Sequence, residues 1–117
     1  MVPRVFVVSD IHTDFEENMK WVRGLSDTKY ANDAIILAGD VSDDLSVLGE
    51  TLVLFASKFG HTFFTPGNHE LWCKRRGPLK DGESEADRET IPDSMTKLER
   101  GLRLCDECGV ETRPRLI

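Results

Sequence analysis

Three short runs of β-branched and aromatic residues, Val5-Phe6-Val7-Val8, Ala34-Ile35-Ile36-Leu37-Ala38 and Thr62-Phe63-Phe64-Thr65-Pro66, each stop at a turn that carries polar side chains. Uniformly apolar runs closed by turn residues are the pattern of strands buried in a parallel sheet. The stretches between them have helical periodicity, so strand and helix alternate, and right-handed crossovers make the three strands parallel. In an open α/β sheet, ligands gather outside the carboxyl ends of the strands. One sheet edge is therefore expected to collect all three turns.

The spacing of the intervening segments supports this order. Thr13-Asp14-Phe15-Glu16 has the form of a capping box, with Thr13 as cap and Glu16 reaching back, ahead of a helix through Met19, Trp21, Val22 and Leu25. Asp43 and Asp44 stand where a helix start favours anions, and Leu48, Leu52, Phe55 and Phe59 then recur along one face until Gly60. A last helix is expected from Pro92 to Cys108, with Met95, Leu98, Leu102 and Cys105 on one face and Gly109 as its C-terminal cap. Residues 73–92 are almost devoid of apolar side chains and read as an exposed loop, in which Arg75 and Arg76 are the candidates for phosphate contact. The order is βαβαβα, with a strand-like stretch at Arg113-Pro114-Arg115-Leu116-Ile117.

The three turns are Asp10-Ile11-His12, Gly39-Asp40 and Gly67-Asn68-His69-Glu70. Together they offer carboxylate, imidazole and amide groups, the mixture that a pair of divalent ions about 3.5–4 Å apart requires. Asp40 is the candidate bridging carboxylate. Asp10 and His12 alternate along an extended segment and can face one ion, while Asn68 offers an amide oxygen to a second. His69 is the candidate acid or charge stabiliser, with Glu70 placed to orient its ring. Each residue alone also has an ordinary explanation. Asp10 can cap its own turn, Gly39-Asp40 and Gly67-Asn68 are common turn pairs, and either histidine can be satisfied by backbone carbonyls.

Taken in order, D-x-H, G-D and G-N-H-E resemble the calcineurin-like metallophosphoesterases over about residues 4–72. The resemblance implies the N-terminal βαβαβα part of a four-layer α/β/β/α sandwich. It also implies two divalent metal ions (Mn, Fe or Zn) and hydrolysis of a phosphomonoester or phosphodiester by hydroxide generated between them. On that pattern Asp10, His12 and Asp40 hold one ion, Asp40 and Asn68 hold part of the other, and His69 with Glu70 serves catalysis. The later histidine motifs of the family have no counterpart, because His12, His61 and His69 are the three histidines of the chain. With a length of 117 residues, this leads to the expectation of a single phosphoesterase domain, 1–117, truncated before its C-terminal half, and inactive by itself. A non-catalytic scaffold that keeps the fold is the alternative.

Composition narrows the partners. A net charge of −6 argues against a generic nucleic-acid binder, and no apolar run is long enough to cross a bilayer. Few residues precede the first strand, so a cytoplasmic location is the expectation, with a phosphorylated substrate of unspecified class as partner. Cys105-Asp106-Glu107-Cys108 is a lone C-x-x-C pair at a helix end, which reads as packing rather than a redox or zinc site. His61 reads as surface, and Trp21 and Trp72 as packing at the core or its rim.

Overall fold

The structure is a computed structural model and describes residues 2–73 and 93–117. Strands β1 (Val5–Val8), β2 (Ala34–Ala38) and β3 (His61–Thr65) form a parallel sheet in the order β1-β2-β3. Helices α1 (Glu16–Arg23), α2 (Leu45–Lys58) and α3 (Ser94–Cys108) follow the strands in turn, with a 3₁₀ turn at His69–Leu71. The register pairs Val5 with Ala34 and Ala34 with His61, so the three strands end nearly level. Repeated right-handed crossovers in one direction along the sheet place successive helices on one face.

That face is the core. Ile35 and Leu37 of β2 and Phe64 of β3 pack with Val22 of α1, with Leu48, Leu52 and Phe55 of α2, and with Cys105 of α3. The opposite face is different from the two-sided burial expected for the apolar runs. Val5 and Val7 are 55% and 62% exposed, and burial alternates along β1. The apolar residues were there in the sequence, but which of them a helix covers is decided by how many layers the chain supplies.

Local details correct several expectations. Thr13 does not cap α1. It is buried, its N–H donates to the Val41 carbonyl at 2.9 Å, and its hydroxyl pairs with that of Thr51 at 2.8 Å. The residue is held by the neighbouring loop, and α1 begins after Phe15 with no side-chain cap. Of the two acids expected at the start of α2, Asp44 is its cap, accepting from the Ser46 and Val47 amides at 2.8 and 3.2 Å. At the other end of α2, buried Lys58 donates to the Arg23 and Leu25 carbonyls and to Asp27, closing the C-terminus of α1.

In α3 the buried residues are Lys97, Gly101 and Cys105, whereas Met95 is 65% exposed. The expected stripe through Met95 is thus rotated, because the helix turns a lysine toward the core. Gly109 ends α3 in the left-handed region (φ 73°), as a C-terminal cap requires. The chain then rejoins the sheet at Glu111, which bridges Phe63 in parallel fashion, and residues 113–117 are irregular rather than a strand. The expected loop over 73–92, apart from exposed Cys73, lies outside the described residues with Arg75, Arg76 and Pro92.

Candidate metal centre

All three polar turns leave the same end of the sheet, and backbone hydrogen bonds zip the first two together beyond the strands. Asp10 N donates to Gly39 O at 3.0 Å, His12 N to Asp40 O at 3.3 Å, and Thr13 N to Val41 O at 2.9 Å. The third turn joins through side chains. His69 N donates to Asp40 Oδ1 at 2.9 Å. The turns carrying Asp10, His12, Asp40 and His69 are thus brought together.

Three of the candidate ligands pay for this position in backbone energy: Asp10, His12 and Asp40 have φ of 57°, 41° and 54°. A non-glycine residue held in the left-handed region costs roughly 1–3 kcal/mol and persists only where its surroundings over-determine it. The preceding Gly39 (φ 78°) takes the same region freely, and a Cβ on it would stand 2.8 Å from the Gly67 Cα. Gly67 is pressed as closely on the other side, since a Cβ there would lie 2.7 Å from the Asp40 amide nitrogen. Two glycines back to back let the second and third turns touch.

The functional side chains lie in a row. His12 Nε2 stands 3.9 Å from Asp10 Oδ1, and the His12 and His69 rings meet edge to face with centroids 4.8 Å apart. The His69 ring also packs on the indole of Trp72, at 3.8 Å and 30°. Trp72 is 49% exposed, so it forms a rim beside His69. The Asn68 amide faces the Asp40 carboxylate. Turned nitrogen-inward it donates to both carboxylate oxygens at 3.1 Å, and turned oxygen-inward it brings three acceptor oxygens together.

Glu70 does not do what its place in the motif suggested. It is 4% exposed and its two oxygens are fully engaged by backbone. Oε1 accepts from Asp40 N at 2.7 Å and Gly67 N at 2.8 Å, and Oε2 from Val41 N at 2.9 Å and Ser42 N at 3.1 Å. The carboxylate therefore braces the second turn against the third rather than orienting the His69 ring. Four amide donors converging on one point form the kind of nest that an anion fills. The sequence showed the acid beside the histidine but not the amides that enclose it.

Two further groups were missed. Ser42 Oγ donates to Asp14 Oδ1 at 2.6 Å and accepts from Asp44 N at 3.0 Å, linking the first turn to the start of α2. Lys97, remote in sequence, donates to the carbonyls of Asp43 and Trp72. No local pattern announces either contact.

The donor set suits divalent cations: carboxylates at Asp10 and Asp40, imidazoles at His12 and His69, and an amide at Asn68 are hard or borderline ligands. Their turns meet at one sheet edge, where Asp40 is reached by His69 N at 2.9 Å and His12 stands 3.9 Å from Asp10, so the group fits divalent cations. Among the described residues, no three His, Cys, Asp or Glu side chains already form a closed cage. Cys105 and Cys108, at the end of α3, lie outside this donor set. Burial pushes the Cys105 thiol up to about 12, and Cys108 is raised for the same reason.

The family profile described as calcineurin-like phosphoesterase matches residues 3–103. The chain is 30% identical over 110 residues to the [acyl-carrier-protein] phosphodiesterase PptH of Mycobacterium tuberculosis, an alignment that covers 94% of this chain and 30% of that protein. The crystal structure of the phosphopantetheinyl hydrolase (PptH) from the same organism superposes with a TM-score of 0.70 at 29% identity, covering 96% of this chain and 36% of that one. The chain thus spans about a third of the length of the relative it matches. With the parallel sheet, its one-sided helices and the three turns at one edge, the match over residues 3–103 establishes that this chain belongs to the calcineurin-like phosphoesterase family.

Proposed function

We propose that the chain supplies the Asp10, His12, Asp40 and Asn68 ligands of a two-metal centre that hydrolyses a phosphoester. The meeting of the Asp10-His12, Asp40 and Asn68-His69 turns at one sheet edge, joined by Asp10 N to Gly39 O, His12 N to Asp40 O and His69 N to Asp40 Oδ1, is the observation that carries this reading. Asp10 and His12 would hold one ion and Asn68 the other, with Asp40 available to both. When bound, divalent cations (Mn, Fe or Zn) supply Lewis acidity toward a phosphoryl oxygen and lower the pKa of a neighbouring water.

The chain's own residues do the rest. Glu70 and the two glycines hold Asp40 at a fixed place, so no reorganisation is needed when charge develops. His69, with Trp72 packed on one side and His12 on the other, is held in position to stabilise or protonate the leaving oxygen. The relative from M. tuberculosis is named an acyl-carrier-protein phosphodiesterase, which makes a phosphodiester on an acyl carrier protein the first substrate to test.

The test is hydrolysis of bis(p-nitrophenyl) phosphate by the full-length protein with and without manganese, compared with its Asp40→Asn variant. The variant is expected to lose several orders of magnitude of kcat/KM. Full activity in Asp40→Asn ends the bridging assignment. The scaffold alternative draws on the sequence given, in which His12, His61 and His69 are the three histidines and the family's later histidine motifs have no counterpart. Calorimetry separates the two: two manganese ions per chain support the enzyme, and none supports the scaffold.

A further inference from the structure

Lys97 is 2% exposed, on the face of α3 that packs toward α2 and the His69–Leu71 turn, in a slot among Leu48, Phe64, Pro66, Glu70 and Leu71. Taking an ammonium out of water is costly unless its protons are bonded, and a methionine of similar length would fill a largely apolar slot without that cost. The lysine is explained by what it reaches. Its ammonium donates to the carbonyl of Asp43, in the turn that carries Asp40, and to the carbonyl of Trp72, in the turn that carries Asn68 and His69. Ser94 on the first turn of the same helix adds a hydrogen bond of 2.7 Å to the Leu71 carbonyl.

Glu70 joins the same two turns in the opposite sense. It collects their N–H groups, from Asp40, Val41 and Ser42 on one side and from Gly67 on the other. Lys97 collects their carbonyls. One buried anion and one buried cation thus clamp the same pair of loops through complementary backbone groups, one from within the loops and one from a helix 25 or more residues away.

From this we infer that Lys97 is a positioning residue for the candidate centre: it sets the spacing between the Asp40 turn and the Asn68-His69 turn, and α3 is the element through which that spacing is held. The inference rests on the proposed function for its catalytic consequence, but the clamp itself does not. A spacing error of an ångström between ligand-bearing turns is enough to lower turnover about a hundredfold while leaving binding of a small substrate nearly unaltered.

The experiment compares wild type, Lys97→Met and Lys97→Arg in the full-length protein, by amide hydrogen exchange and by steady-state kinetics with manganese. In Lys97→Met, exchange at residues 40–44 and 67–72 is expected to rise while the amides of β2 keep their protection. In the same variant kcat falls about 10–100-fold with KM little altered. Lys97→Arg keeps the donors and is expected to restore much of both. Unaltered loop exchange in a folded Lys97→Met overturns the inference, as does loss of protection spread evenly over the whole chain. If Lys97→Met does not fold, Lys97→Arg decides: wild-type loop protection supports the clamp, and loosened loops refute it. An inactive wild type would sink the proposed function alone, since the exchange comparison still reads the clamp.

Discussion

Replacing Glu70 by glutamine removes one charge and converts one of the two carboxylate oxygens into an NH₂ group. In the wild type each oxygen serves two backbone donors, Asp40 N and Gly67 N on Oε1, Val41 N and Ser42 N on Oε2. Whichever way the new amide turns, two N–H groups then face another N–H. Val41 and Ser42 are 0% and 1% exposed, so water cannot replace the lost acceptor there. A buried donor left unpaired costs about 1–3 kcal/mol, and each retained bond loses about 1 kcal/mol when its acceptor becomes neutral. The amide should turn its oxygen toward Val41 and Ser42, leaving Asp40 N and Gly67 N to partial hydration. The net loss is about 3–5 kcal/mol, a large share of the roughly 5–15 kcal/mol that holds a domain folded. Urea unfolding of wild type and Glu70→Gln, followed by tryptophan fluorescence, measures it. A loss below about 1 kcal/mol would refute the brace. Lost turnover at unaltered stability would restore Glu70 to the role of orienting His69.

Other consequences follow from the same geometry. Gly67→Ala places a methyl group 2.7 Å from the Asp40 amide nitrogen, so Asp40 must move; manganese affinity by calorimetry should fall about 10–100-fold. Arg4 holds the Asp33 carboxyl below its ordinary range, chiefly through its guanidinium at 2.7 and 3.1 Å and then through its backbone N–H at 2.9 Å. A lowered native value stabilises the fold above the unfolded-state pKa of about 3.9, and the benefit disappears as pH falls through the native value. Asp33→Asn should therefore be less stable than wild type by a constant amount from about pH 5 upward, and the two should converge in more acid solution. A gap that persists at low pH would assign the effect to something other than this ion pair. Finally, with the Cys105 thiol raised to about 12 by burial, a disulfide reagent at neutral pH should label exposed Cys73 and leave Cys105 untouched until denaturant is added. Prompt labelling of Cys105 in the native chain would contradict its burial.

The sequence by itself determined what local patterns can carry. The runs at 5–8 and 34–38 are strands with those bounds, the third is displaced by one residue, Gly109 caps α3 as expected, and the acids at 43–44 do stand at the start of α2. The parallel order followed from strand and helix alternating, because crossover handedness leaves one arrangement. That the turns carrying Asp10, His12, Asp40 and Asn68 would meet at one sheet edge was legible because each follows a strand. The tertiary structure decided everything that depends on which surfaces meet. It left Val5 and Val7 uncovered, since an apolar run cannot say whether one face or two will be packed. It drew Thr13 from a helix cap into an inter-loop bond, and it turned Lys97 inward where periodicity favoured Met95. Above all it made Glu70 a brace instead of a partner to His69, because backbone N–H groups carry no side-chain signature: only their convergence in space creates the site that a buried carboxylate fills.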